Sequence, residues 1–311
     1  MVIKMNKLYM GIDSGHFSTK CIIIDEYNNI VINRSKNNQD SPLETTKTLL
    51  KEILKEIDLK KYTIASVGTT GYGRNLIGLL LNASVIKNEI ESEIEGVLKF
   101  YPDAKKIISV GEKNSKVINI IKNNNYSCNP IYTSVPGEFL YDISKKLDLT
   151  NEKINNINMT KIKNIDFSKE YIIITYNDIY NKLKEGYTKE DIIVNLSKKA
   201  ATDYLDEIDA LTKTICIGGV FKNKIITNLL QNELKDNLII SKKEIFLGAY
   251  GVASLAKKSH KEKKFDYNVD SLSIKTHIKT CNKCQKNCQI VNIYKNNTLV
   301  DHWGNSCQLE I

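Results

Sequence analysis

The chain has 311 residues, 41% hydrophobic and 26% charged, with a net charge of +9. This is the composition of a globular protein of one large or two medium domains, long enough to bury a real core. The lysines are scattered among Asn, Ile and Tyr rather than gathered in a basic block, and no apolar run reaches about 18 residues, so neither nucleic acid nor a membrane is an expected partner. The N-terminus shows no apolar core before a small-residue cleavage site, which predicts a cytoplasmic protein. In that compartment the seven cysteines read as thiols or metal ligands.

Lys7 to Asp25 reads as a β-hairpin, two apolar runs around a polar turn. Gly11 and Gly15 lack a Cβ and let backbone N–H groups approach an anion; Ser14, Ser18 and Thr19 add hydroxyl donors. Lys20 is a nearby cation, and Asp13 is placed to hold Mg²⁺ directly or through water. The pattern predicts a phosphate cradle. A short strand is expected near Val31. Ser41-Pro42 with Glu44 opens a helix that carries Leu49, Leu50, Ile53, Leu54 and Ile57 at helical spacing. Tyr62–Gly68 is a strand, followed by the turn Thr69–Arg74, helices over 76–81 and 90–100, and strands over 105–111 and 117–121. Alternating strands and helices predict an α/β layer.

The middle of the chain differs. A helix is expected over 138–147, a loop or irregular segment over 151–166, a buried strand over Tyr171–Tyr176, and a long helix after Thr188 with Ile192, Leu196, Ala200, Tyr204 and Ile208 on its apolar side. Thr214–Gly219 returns to strand and turn. A helix near 225–234, a strand near 238–240 and a helix over 248–257 follow. Residues 258–264 form a basic linker, and a cysteine-bearing tail closes the chain. Glycine turns at Gly111, Gly218-Gly219 and Gly248, each at a strand's end, suit a cleft between two lobes. The expected division is 1–121 with 212–257 as a nucleotide-binding lobe, 122–211 as a second lobe, and 258–311 as linker and tail.

Gly11-Ile-Asp-Ser-Gly15 with Ser18-Thr-Lys20, Thr70-Gly-Tyr-Gly-Arg74, Glu89-Ile90 with Gly96, Pro102-Asp-Ala104, Ser115-Lys-Val-Ile118, Gly218-Gly-Val220 with Asn223, and Gly248-Ala-Tyr-Gly-Val-Ala253 occur in order. Together they resemble the BadF/BadG/BcrA/BcrD-type ATPases, activators of 2-hydroxyacyl-CoA dehydratases and benzoyl-CoA reductases. The resemblance implies the two-lobed actin/hexokinase/Hsp70-type (ASKHA, ribonuclease H-like) fold and a homodimer that binds ATP and Mg²⁺. It also implies an interface [4Fe–4S] cluster and electron transfer to a partner reductase or dehydratase. The nucleotide-contacting residues it implies are Gly11, Asp13, Ser14, Gly15, His16, Ser18, Thr19, Lys20, Gly111, Gly218, Gly219 and Asn223.

Two stretches depart from the family pattern. Where the family has Asp-Ile-Gly-Gly-Gln-Asp-Ser-Lys, this chain has Ser109-Val-Gly-Glu-Lys-Asn-Ser-Lys116. Ser109 removes the strand-end carboxylate and Glu112 introduces another, so Asp13 and Glu112 are the catalytic candidates, with Glu93 a further candidate base. Impaired hydrolysis with retained binding is the expectation. Tyr132 and Tyr171 fall where the family's cluster cysteines belong, and phenols are not ligands of such a cluster. Cys128 lies four residues before Tyr132; Cys21 and Cys216 read as core.

The tail offers its own metal site. Cys281, Cys284, Cys288 and Cys307 have the spacing of a small tetrahedral centre for Zn²⁺ or [4Fe–4S], with His277 and His302 as spare ligands. Alternation over 290–294 and 299–303 predicts a hairpin between the third and fourth cysteines. Three functions compete: an activase-like ATPase, a catalytically degenerate nucleotide-binding or scaffold paralogue, and a small-molecule kinase of the same superfamily.

Overall fold

A computed structural model describes residues 5–38, 41–111, 114–121, 125–167, 174–209, 211–242, 246–282, 287–295 and 297–304. The chain divides into two compact units: residues 1–92 with 248–311, and residues 93–247. These boundaries differ from those expected at 121 and 212.

The sheet of the first unit is built from β1 (Asn6–Ser14), β2 (Ser18–Ile24), β3 (Ile30–Asn37), β4 (Tyr62–Thr70) and β5 (Val85–Ile86), in the order β3-β2-β1-β4-β5. β1, β2 and β3 form an antiparallel meander, and β4 and β5 add to β1 in parallel. Leu8, Met10 and Ile12 alternate inward along β1, and Ile22 to Ile24 are buried without a break along β2. Helix α1 (Pro42–Glu56) starts on Ser41, whose hydroxyl accepts from Glu44 N. It covers the sheet with Leu49, Leu50 and Ile53, each essentially fully buried. Burying such a side chain contributes about 1.5–3 kcal/mol. Helix α2 (Arg74–Leu81) follows β4.

Helix α3 (Glu89–Phe100) carries the chain into the second unit. There β6 (Lys106–Val110), β7 (Ser115–Ile120), β8 (Tyr126–Pro130), β9 (Thr214–Ile217) and β10 (Leu238–Ile240) make a second sheet in the order β10-β9-β6-β7-β8. Again three strands form an antiparallel meander and two add in parallel to the first. The two sheets therefore repeat one topology: β6 to β10 take the places of β1 to β5. Helices α4 (Gly137–Lys146), α5 (Asn151–Asn155), α6 (Tyr176–Lys184) and α7 (Lys189–Leu205) lie between β8 and β9. Helix α8 (Lys224–Leu234) follows β9, and α9 (Leu247–Lys258) follows β10.

Several elements differ from expectation. Residues 151–166 are not all loop: Thr150 caps α5 by accepting from Lys153 N, and Ile154 anchors it in the core. The strand expected over Tyr171–Tyr176 is a helix start at its described end. Thr175 and Asp178 form a reciprocal capping box there, which commits the chain to α6; Tyr171 lies outside the described residues. The strands β5 and β8 are additional. Among the described residues the tail holds three strands rather than two: β11 (Ile274–Thr280), β12 (Gln289–Lys295) and β13 (Thr298–Trp303), with β12 in the centre. The stretch after the basic linker is not loose, because Phe265, Val269 and Leu272 pack into the core of the first unit. Lys295 Nζ also donates to the carbonyls of Leu79 and Leu80 at the end of α2, both at 2.8 Å. Burial lowers the pKa of this ammonium.

Gly218 and Gly219 behave differently despite their adjacency. Gly218 has φ +115°, and a Cβ there would lie 2.0 Å from Val110 O, whereas a Cβ at Gly219 meets nothing within 4 Å. Gly218→Ala is expected to destabilise the protein by roughly 3 kcal/mol or more, and Gly219→Ala by less than about 1 kcal/mol, in chemical denaturation.

Candidate active site

The hairpin of the first unit is held closed by Gly15 N donating to Ser18 O at 3.0 Å. Asp13 and Lys20 face each other across β1 and β2, and Lys20 Nζ lies 3.4 Å from Asp13 Oδ2. Asn38, which the sequence reading did not single out, fastens the turn. Its amide donates to Gly15 O and His16 O at 2.8 and 3.1 Å, and its Oδ1 accepts from Thr19 Oγ1 at 2.7 Å. Thr19 thus supports the turn from within. His16 is exposed, its ring edge-on to Tyr72 at 4.9 Å. Gly11 packs closely on α9: a Cβ there would lie 2.0 Å from Ala249 O.

The turn after β4 lies directly on this hairpin. Asp13 and Thr70 share a register position in β1 and β4, so their side chains are neighbours on one face. Gly71 has φ +88°, and a Cβ there would meet Ser14 O at 2.5 Å and Asp13 Oδ1 at 2.6 Å. Gly73 N donates to Ser14 O at 2.9 Å, and a Cβ on Gly73 would lie 2.5 Å from Ser14 Oγ. Arg74 Nη1 returns to Gly71 O at 3.1 Å and closes the turn. The run Thr70–Arg74 is therefore the seat on which Asp13 and Ser14 rest. From α9, Gly248 faces the same carboxylate; a Cβ there would be 3.3 Å from Asp13 Oδ2. Within this arrangement Ser14 Oγ and Thr70 Oγ1 are buried and make no hydrogen bond among the described residues. A buried hydroxyl without a partner costs about 1–3 kcal/mol. An oxygen-only set of a carboxylate and hydroxyls, with a cation already drawn to the carboxylate, fits Mg²⁺ and phosphate.

The second unit repeats the hairpin with other side chains. Gly111 N donates to Asn114 O at 2.9 Å, and Ser109 faces Lys116 across β6 and β7. Ser109 Oγ donates to Glu93 Oε1 at 2.8 Å, and Lys116 Nζ lies 3.2 Å from Glu93 Oε2. Glu112 lies outside the described residues. Asn223 is committed to structure: its Oδ1 accepts from Ile225 N at 2.9 Å to cap α8, and its amide donates to Ser197 Oγ at 2.8 Å.

Tyr132 is 88% exposed on the strand-to-helix loop before α4. The loop is clamped by Asp203, which accepts from Thr133 Oγ1, Ser134 N and Ser134 Oγ, all at 2.9 Å, and from Lys199 at 2.6 Å. Cys128 is half-buried on β8, and burial pushes its thiol pKa up. The loop as described does not fit an iron–sulfur cluster. In the tail, Cys281 N donates to Cys288 O at 2.8 Å, which brings two of the four expected ligands to one end of the β11–β12 hairpin. Gly304 lies beside Gln289 at the same end, where a Cβ would be 2.2 Å from Gln289 O. Cys284 and Cys307 lie outside the described residues. His277 and His302 both pair with Asn292 in the sheet, about four residues or ~13 Å from that end. Among the described residues no group of three or more His, Cys, Asp or Glu side chains could hold a metal ion, and no helix is long and apolar enough to cross a membrane.

The fold is shared with sugar kinases of the hexokinase-like class: a ROK family glucokinase from Streptomyces griseus superposes with a TM-score of 0.50 at 13% identity, covering 81% of this chain and 99% of that one. The activator of the 2-hydroxyisocaproyl-CoA dehydratase from Clostridium difficile, solved with bound ADPNP, superposes with a TM-score of 0.67 at 21% identity over 81% of this chain and 95% of that one. In sequence, the (R)-2-hydroxyglutaryl-CoA dehydratase activating ATPase of Acidaminococcus fermentans is 23% identical over 254 residues, 80% of this chain and 96% of that protein. The chain belongs to the BadF/BadG/BcrA/BcrD ATPase family, whose model matches residues 10–256.

Burial pushes the Asp203 carboxyl up, but the hydrogen bonds from Lys199, Ser134 and Thr133 outweigh it and hold its pKa below the ordinary carboxylate value. A depressed carboxyl stabilises the fold above its unfolded pKa and loses that contribution as pH falls through the folded one. Asp203→Asn is expected to lower unfolding stability by about 1–3 kcal/mol at pH 7. The gap to wild type should narrow as the pH drops below about 4, measured by denaturant titration across pH.

Proposed function

We propose that this protein is an ATP-dependent activator of a partner dehydratase or reductase, acting as a homodimer. The observation that carries the reading is the first hairpin. Asp13, with Lys20 at 3.4 Å, shares its register position with Thr70, and among the described residues the buried hydroxyls of Thr70 and of the adjoining Ser14 have no hydrogen-bond partner. Asp13 and Thr70 would hold Mg²⁺ and its water, Ser14 and the turn N–H groups the phosphate oxygens, with Lys20 adding positive charge. When bound, Mg²⁺ neutralises charge building on the phosphates. Family membership and the named activity of the Acidaminococcus relative support the ATPase reading and the dehydratase partner.

The tail is proposed to hold Zn²⁺ or [4Fe–4S] through Cys281, Cys284, Cys288 and Cys307, supported by the pairing of Cys281 with Cys288. With [4Fe–4S] there, electron transfer would run through the tail rather than through the Tyr132 position; Zn²⁺, which has no redox chemistry, would make the site structural. Ser109 and Tyr132 favour the competing reading, a nucleotide-binding paralogue without turnover. Anaerobic purification with metal analysis, visible absorption and Mg-ATP hydrolysis separates the two. Turnover with an iron–sulfur chromophore supports the activator; a colourless zinc protein that binds ATP without turnover contradicts it.

Thr70→Val tests the cation site directly. Removing an unpartnered buried hydroxyl is expected to leave the melting temperature unchanged or raised. Affinity for a non-hydrolysable ATP analogue should fall roughly tenfold or more in Mg²⁺, with no change in EDTA; Thr70→Ser should restore it.

A further inference from the structure

The repeated topology assigns each position of one hairpin a counterpart in the other. Asp13 stands two residues before Gly15 and opposite Lys20; Ser109 stands two residues before Gly111 and opposite Lys116. Both turns are closed by the same kind of bond, Gly15 N to Ser18 O and Gly111 N to Asn114 O. The parallel strand that follows ends in both units on a glycine of positive φ. Gly71 packs on Ser14 O and Gly218 on Val110 O, the carbonyl one residue after Asp13 and Ser109 respectively. Ser109 is thus the counterpart of Asp13, and the strand has lost its carboxylate.

The helix facing that strand has gained one. In the first unit the helix residue facing Asp13 is Gly248, three residues before Gly251-Val252. In the second unit the helix residue facing Ser109 is Glu93, three residues before Gly96-Val97. One unit pairs an Asp on the strand with a Gly on the helix; the other pairs a Ser on the strand with a Glu on the helix. The lysine follows the carboxylate: Lys20 lies 3.4 Å from Asp13, and Lys116 lies 3.2 Å from Glu93. Glu93 is mostly buried, its side chain 14% exposed, and Ser109 Oγ aims it with a 2.8 Å hydrogen bond.

We propose that Glu93 is the functional counterpart of Asp13 in the second unit, a carboxylate moved from strand to helix on which nucleotide turnover depends. Ser109 is its positioning residue. The inference rests on the ATPase reading. It replaces the expectation that loss of a carboxylate at Ser109 impairs hydrolysis.

The test compares wild type, Glu93→Ala and the double variant Ser109→Asp/Glu93→Ala in Mg-ATP hydrolysis, binding of a non-hydrolysable ATP analogue, and thermal melting. Glu93→Ala is expected to lower kcat by a hundredfold or more while analogue affinity changes less than threefold. The double variant, which rebuilds the Asp–Gly-like arrangement of the first unit, should recover at least tenfold of the lost kcat. A merely structural ion pair would lower the melting temperature and leave kcat below that temperature unchanged, which would overturn the proposal. So would a double variant as slow as Glu93→Ala, or a wild type that binds the analogue and does not hydrolyse ATP. A wild type that binds no nucleotide would overturn the ATPase reading itself.

Discussion

A glycine seated on a carbonyl oxygen organises each half of this protein. Gly71 can rest on Ser14 O, and Gly218 on Val110 O, because neither carries a Cβ and both adopt positive φ. This contact fixes the end of the parallel strand against the end of the hairpin. In the first unit it places Thr70 beside Asp13 and sets Gly73 over Ser14. Any side chain at either glycine would push the hairpin away from the turn that supports it.

On that frame the two units have diverged in what they present. The first has its carboxylate on the strand, and there the buried hydroxyls of Ser14 and Thr70 find no hydrogen-bond partner among the described residues. In the second the carboxylate stands on the helix, where Glu93 accepts a hydrogen bond from Ser109 and pairs with Lys116. An unsatisfied polar group lowers stability and suits a ligand, and a carboxylate held by a hydrogen bond and an ion pair is oriented before any ligand arrives. The tail belongs physically to the first unit: Phe265, Val269 and Leu272 join its core, and Lys295 caps α2.

Much of the first hairpin was legible because its signals are local: glycines, hydroxyls and Asp13 lie within ten residues, between apolar runs. The long helices were legible from spacing and from caps such as Ser41 and Thr188. The doubling of the sheet was not, because β5 has two residues and β8 reads Tyr-Ser-Cys-Asn-Pro, with no alternation to mark a strand. The start of α6 is masked in the sequence by the β-branched run that precedes the Thr175–Asp178 capping box. Asn38, Thr70 and the pairing of Glu93 with Ser109 depend on contacts between separate elements, which local pattern does not encode. Gly11 and Asn223 carried a family signal, and their packing on α9 and capping of α8 are contacts that the local pattern does not encode.

The central claim is that the first hairpin is a magnesium-dependent nucleotide site. Equilibrium titration of the wild-type protein with a non-hydrolysable ATP analogue, with Mg²⁺ and with EDTA, tests it most directly. The account predicts saturable binding that tightens at least tenfold with Mg²⁺ and weakens to the EDTA level in Asp13→Asn. Absence of binding, or binding indifferent to both Mg²⁺ and Asp13, would contradict it.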